Sequence, residues 1–173
     1  LLPGEDGGAR ILGGDLRCLY LGWLLFVPVL LILGVRNWVP FIAGAVMIAV
    51  TLALAALSLR GRWARAGGFA AFVGGSALVA IGSTVLGPHI LMPNLALSNV
   101  LAFTLFGERT LRVPAIAIGV LSFVIPWCLQ MIGVLPASYR FSDGGFTVIP
   151  MMTNLPEWGV HLLMLLANTA LVV

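Results

Sequence analysis

The residues in this chain that could do chemistry together are few, and they gather near its C-terminal end. Tyr139, Arg140 and Asp143 lie in "YRFSDGGFTVIP" (139–150), and His161 follows in the next apolar run. A phenol, a guanidinium, a carboxylate and an imidazole supply hydrogen-bond donors, acceptors and both signs of charge. These four are the expected lining of any ligand site. Glu157 stands one helical turn before His161, so the two can touch. The plain expectation for them is an interfacial Glu–His contact. The sharper one is a proton- or ligand-sensing pair, because imidazole titrates near neutral pH.

Other chemistries fail on spacing. His89, Met92, Met151, Met152 and His161 fall towards one face, and soft thioether and imidazole ligands suit Cu(I). Their spacing matches no metal motif, and nothing in the sequence turns His89 and His161 towards each other as a haem would require. No metal and no cofactor is expected. Cys18 and Cys128 fall at opposite ends of different apolar runs, too far apart for a disulfide, and are expected as packed thiols. The glycines of "PGEDGGARILGG" are not followed by Gly-Lys-Ser/Thr, so they do not form a phosphate loop. No kinase, cyclase or hydrolase catalytic motif occurs. No residue is expected to be catalytic, and the segment itself is not expected to be an enzyme.

The elements that must position these residues are set by composition. Hydrophobic residues make up 61% of the 173, charged residues 9%, and the mean hydropathy is +1.12. A soluble domain, ordinarily about one-quarter charged, is not built from this mixture. Apolar runs near the ~18 residues of a spanning helix recur along the whole length. The expected fold is an all-α integral membrane bundle of six spans, at about 18–35, 38–59, 67–86, 90–106, 113–135 and 152–173. Residues 1–16 read as a cytoplasmic Gly-rich linker ahead of the spanning domain, 17–173. No signal peptide is visible. The chain begins at Leu1 and ends within "LLANTALVV", so it is expected to be a segment of a longer protein.

Arginine placement orients the bundle. With the N-terminus inside, Arg10, Arg17, Arg60, Arg62, Arg65, Arg109 and Arg112 are cytoplasmic and only Arg36 and Arg140 lie outside. The connections are short enough for the positive-inside rule. Both ends are then cytoplasmic, and the expected location is a bacterial inner membrane. That all nine basic residues are Arg is the compositional hint of a GC-rich bacterial genome. The five Trp residues fall mostly towards span ends, as an aromatic belt would place them. Small residues at helical spacing, Ala45, Ala49 and Ala53 in span two and Gly67, Ala71 and Gly75 in span three, are expected to pack these helices together. Asn99, Thr104, Gln130, Asn168 and Thr169 are expected to hydrogen-bond between helices. No repeat relates the first three spans to the last three, and no charged residue sits at mid-span. Both count against a transporter.

The segment 136–151 breaks the helical pattern. Tyr139–Phe141 and Phe146–Ile149 flank Ser142-Asp143-Gly144-Gly145, which is the signal of a small β-hairpin. With the orientation above, it forms an extracytoplasmic lid between spans five and six. A structural cap and a ligand- or partner-binding lid both fit this pattern.

"GPHILMPNLALSNVLAF" (87–103) followed by "GVLPASYRFSDGGFTVIPMMTNLP" (133–156) resembles a six-span membrane module of bacterial, myxobacterial-type multidomain serine/threonine kinases. The likeness covers roughly the C-terminal half; the first three spans agree only in hydropathy, and Asn94 and Ser98 stand where smaller residues are usual. The resemblance implies a kinase domain attached on the cytoplasmic side before residue 1. It implies no ligand and no functional residues. The expected role is a sensor or anchor domain that relays or localises a signal from the extracytoplasmic face. Its partners would be the bilayer, that covalently attached cytoplasmic domain and, as an allowed arrangement, a second copy in a homodimer; nucleic acid is not among them. The alternatives are the membrane anchor of a nucleotide cyclase and a small-solute transporter or permease subunit.

Overall fold

The fold is described from a computed structural model over residues 24–58, 64–106, 109–142, 145–154 and 156–172. Helix α1 is described over Leu24–Leu33. It is followed by α2 (Trp38–Ser58), α3 (Ala64–Leu86) and α4 (Met92–Phe106). A 3₁₀ turn (Arg109–Leu111) then enters α5 (Arg112–Met131), strands β1 (Tyr139–Ser142) and β2 (Gly145–Val148) follow, and α6 (Glu157–Val172) comes last. The chain is thus mostly helical, with one small antiparallel sheet.

Three of these helices are long and apolar enough to cross a membrane: Trp38–Ser58, Ala66–Val85 and Arg109–Met131. The apolar stretches Leu24–Leu33, Met92–Leu105 and Glu157–Leu166 are shorter, below the ~20 residues a straight span needs. Six full-length spans are therefore expected from the sequence but met by three of the described helices. Residues 18–23, the start of the first expected span, lie outside the described residues. Two local causes shorten the others. Residues 87–91 form a turn rather than the first turn of α4, and 151–154 bend and bridge to Val35 instead of coiling, so α6 starts only at Glu157 after Pro156. Likewise α5 ends at Met131 instead of near 135. Gly133 takes φ +78° while the Ile132 and Val134 N–H groups donate to the Cys128 and Leu129 carbonyls, a glycine-dependent helix stop.

Helices α2 and α3 make the closest pair. On α3 the small-residue stripe packs as expected, with Gly67, Ala71 and Gly75 buried. A Cβ on Gly67 would lie 2.8 Å from the Ser58 backbone nitrogen. On α2 the stripe is rotated from the expected one. Gly44, Ile48, Thr51 and Ala55 are buried, whereas Ala49 and Ala53 are exposed. Composition marked both helices as small-residue rich, but on α2 several interleaved i, i+4 stripes satisfied the same pattern.

Polar side chains in the bundle bond locally or to a neighbour. Asn99 donates from Nδ2 to the Phe72 carbonyl and to Ser76 Oγ, each at 3.1 Å, tying α4 to α3. Thr104 instead donates to the Leu101 carbonyl of its own helix, and Asn168 is exposed. Beneath Asn99 the rings of Phe72 and Phe103 stack with centroids 4.7 Å apart. The other apolar cluster gathers Leu30, Phe41, Val79, Met92, Met152 and Leu163 from five helices and the segment before α6. It surrounds a cavity of about 60 Å³. Cys128 is a free and exposed thiol, not a packed one, and Cys18 lies outside the described residues.

Trp38, Trp127 and Trp158 are partly exposed at the start of α2, near the end of α5 and at the start of α6. All three lie at the end of the bundle that carries the hairpin, as an interfacial aromatic belt would.

Candidate functional site

The hairpin forms where its residues predict. Tyr139 pairs with Val148, Arg140 with Thr147, Phe141 with Phe146 and Ser142 with Gly145. That register leaves Asp143 and Gly144 between the strands, a pair that two-residue hairpin connections favour. Both lie outside the described residues, so the predicted site residue Asp143 has no described position.

What distinguishes the hairpin is how it is held. At its base, Gln130 Nε2 at the end of α5 donates to Ser138 Oγ at 2.8 Å, and the Ser138 N–H returns to Gln130 Oε1 at 3.4 Å. Ser138 is 1% exposed. Gln130 therefore bonds to the lid rather than to another helix. The Ile149 N–H donates to the Ser138 carbonyl at 2.7 Å and closes the hairpin neck.

Tyr139, the first residue of β1, turns onto the α3–α4 connection. Its hydroxyl oxygen accepts the backbone N–H of His89 at 3.0 Å. The His89 ring stacks on the Tyr139 ring, with centroids 5.6 Å apart and planes at 22°, and meets Trp127 edge-on at 6.1 Å. Gly87 has φ +82°, and a Cβ there would collide with the Tyr139 ring. Only glycine combines that dihedral with that close approach. Burial pushes the Tyr139 phenol above its ordinary value of 10.0, and the backbone N–H groups of His89 and Ile90 act in the opposite direction. Burial wins, so the phenol stays protonated at neutral pH.

The chain leaving β2 completes the bracing. The Met151 N–H donates to the Thr84 carbonyl at the end of α3 at 3.1 Å, and Thr84 Oγ1 lies 3.8 Å from the Met152 sulfur. The Met152 carbonyl accepts the N–H groups of Arg36 and Asn37 at 2.9 and 3.1 Å. Thr153 forms an antiparallel bridge with Val35, and the Asn154 N–H donates to the Gly34 carbonyl at 2.9 Å. The Met152 side chain is buried and lines the central cavity. One continuous segment, 138–154, thus bonds to the ends of α5 and α3, to the α3–α4 connection and to the α1–α2 connection.

Of the four predicted site residues, Tyr139, Arg140 and His161 have described positions, in β1 and on α6. Tyr139 is half-buried in the brace. Arg140 is exposed beside Thr147. His161 is exposed on α6, and among the described residues no ion pair joins it to Glu157. Sequence reasoning did not select His89, Gly87 or Trp127 as partners of Tyr139. The signal was present in "GPH", a glycine able to take positive φ beside an aromatic, but His89 was weighed only as a metal or haem ligand, and the stretch only as a break between spans and part of the family resemblance. Among the described residues no group of three or more His, Cys, Asp or Glu could hold a metal ion. The central cavity is apolar on all sides, so it offers a polar solute or ion no hydrogen-bonding partner. The hydrogen bonds of 138–154 hold the hairpin to the helix ends and connections around it.

At the level the fold defines, this is a mostly helical domain with apolar helices of membrane-crossing length, compatible with a membrane location. Comparison with protein-family models, with curated proteins and with solved structures gives no significant match.

Proposed function

We propose that the chain is a six-span membrane sensor or anchor domain of a bacterial signalling protein, a serine/threonine kinase by the resemblance of residues 87–103 and 133–156. In this reading both termini are cytoplasmic and the hairpin lid is extracytoplasmic. The observation that carries it is the brace. A lid held only at its own base could move without consequence, whereas here Met152 and Thr153 are bonded to the connection between α1 and α2. A ligand or partner that favours one lid position would shift that connection and, through α1, the linker preceding it. Such a ligand acts only through its difference in affinity for the two positions.

The test is phosphotransfer by the whole parent protein in native membranes, with and without residues 138–149. The sensor reading expects the deletion to change basal activity or abolish its dependence on extracellular conditions. Unchanged activity under every condition would reduce the domain to an anchor. A transporter would instead show sustained solute flux in proteoliposomes, and the apolar cavity speaks against that outcome.

A further inference from the structure

Away from the lid, α4 and α5 enclose a second concave surface, a groove of about 640 Å³. It is in the size range of sites for organic ligands rather than ions. Gly119 forms its floor, where α5 approaches Val100 too closely for any side chain. Its walls are apolar and open outward; Leu97, Leu101, Ile116 and Val120 line it and are each about half exposed. Along α4 it runs from Pro93 to Leu105, about 18 Å at 1.5 Å per residue. That is close to the ~15 Å hydrocarbon depth of one leaflet.

One end of the groove differs. Arg112, at the start of α5, is the one ionisable residue among the described residues that line it. Arg112 is exposed and, among the described residues, forms no ion pair, and Arg109 stands exposed in the preceding 3₁₀ turn. An apolar trough one leaflet deep with a cation at its mouth has the polarity of a single lipid: chain along the groove, anionic headgroup at the arginine. A second copy of the chain fits less well. A two-fold axis along the membrane normal would bring both Arg112 side chains to the same depth, like charge against like.

We propose that the α4–α5 groove binds one anionic phospholipid, with an acyl chain against Gly119 and its phosphate on Arg112. This rests on the membrane reading of the chain and not on the sensor role or on which side the lid faces.

The test uses the full chain in non-ionic detergent, exposed to equal amounts of phosphatidylglycerol and phosphatidylcholine with identical acyl chains. Lipid retained after gel filtration is quantified by mass spectrometry. Wild type is expected to retain phosphatidylglycerol over phosphatidylcholine by about five-fold, the preference one arginine gives near an anionic surface. Arg112→Gln should bring that ratio close to one. Ile116→Trp, which fills the groove, should lower retention of both lipids, whereas Val113→Trp, on an exposed position outside the groove, should change neither. Equal retention of the two lipids by wild type, or an unchanged preference in Arg112→Gln, overturns the proposal. So does a wild-type dimer that Ile116→Trp dissociates, since a second copy would then cover the groove. If Ile116→Trp loses its helical circular dichroism, the Arg112→Gln ratio alone decides. Any of these failures leaves the lid, and the sensor reading built on it, untouched.

Discussion

Tyr139 is the side chain that holds the hairpin to the α3–α4 connection, and its two interactions can be separated by substitution. Tyr139→Phe keeps the stacking on His89 but leaves the His89 N–H without its acceptor. A loss of about 1 kcal/mol in unfolding free energy is expected, read by thermal or denaturant unfolding in detergent. The same residue makes a pH prediction. Its folded pKa lies above the unfolded value of 10.0, so above pH 10 the unfolded chain releases this proton while the folded chain keeps it. Stability from this group is complete below pH 10 and falls as pH rises through the folded value. Wild type should therefore destabilise more steeply above pH 10 than Tyr139→Phe, and a parallel decline in both proteins would contradict the buried phenol. Gly87→Ala asks for more. A non-glycine residue at φ +82° costs about 1–3 kcal/mol, and its Cβ also meets the Tyr139 ring. Tyr139→Ala in the same chain should recover the steric part and not the backbone part. The measurement is the double-mutant cycle, and strict additivity would mean that the ring does not press on residue 87.

At the scale of elements, the claim is that the strand-like segment after β2 and the α1–α2 connection move as one. Val35 and Thr153 are an antiparallel bridge pair, and such pairs hold their Cα atoms at about 4.5–5.5 Å, within disulfide reach. With Cys18 and Cys128 replaced by serine, Val35→Cys and Thr153→Cys should oxidise to an intramolecular disulfide in the folded chain, detected by resistance to maleimide. Free thiols after oxidation would mean that the two segments are not held together. This element was only half legible in the sequence. The hairpin could be read because aromatic and β-branched residues flank a Gly-rich turn, a local pattern. The anchoring could not, because its bonds run from backbone groups of Met151, Met152 and Asn154, and any residue type supplies those. The same limit explains the site. Tyr139 was recognisable by type, but its partner is the backbone of His89, fifty residues earlier in the chain. Arg140 and His161 were chosen as charged and titratable groups, and the fold leaves both exposed. Helix positions followed apolar runs closely, whereas helix ends missed by several residues where Gly133 stops α5 and the bends at 151–152 with the Val35–Thr153 bridge delay α6.

For the whole molecule, hydropathy and the arginines carry the argument. Three helices have the length and composition to cross a bilayer, and Trp38, Trp127 and Trp158 cluster at the lid end. Arg109 and Arg112 lie at the other end of α5, so the account puts the bilayer between these arginines and Arg140. The shorter apolar helices would cross with the help of their neighbours and of the residues that flank them, since shortfalls in length are met by local thinning and by snorkelling side chains. A membrane domain whose lid faces outward stands or falls on this arrangement. The decisive measurement is labelling of single cysteines by a membrane-impermeant maleimide in cells, in a background with Cys18 and Cys128 replaced by serine. Arg140→Cys should label in intact cells and Arg112→Cys only after permeabilisation. Labelling of Arg112→Cys in intact cells, with Arg140→Cys protected, would turn the lid to the cytoplasm and contradict the account.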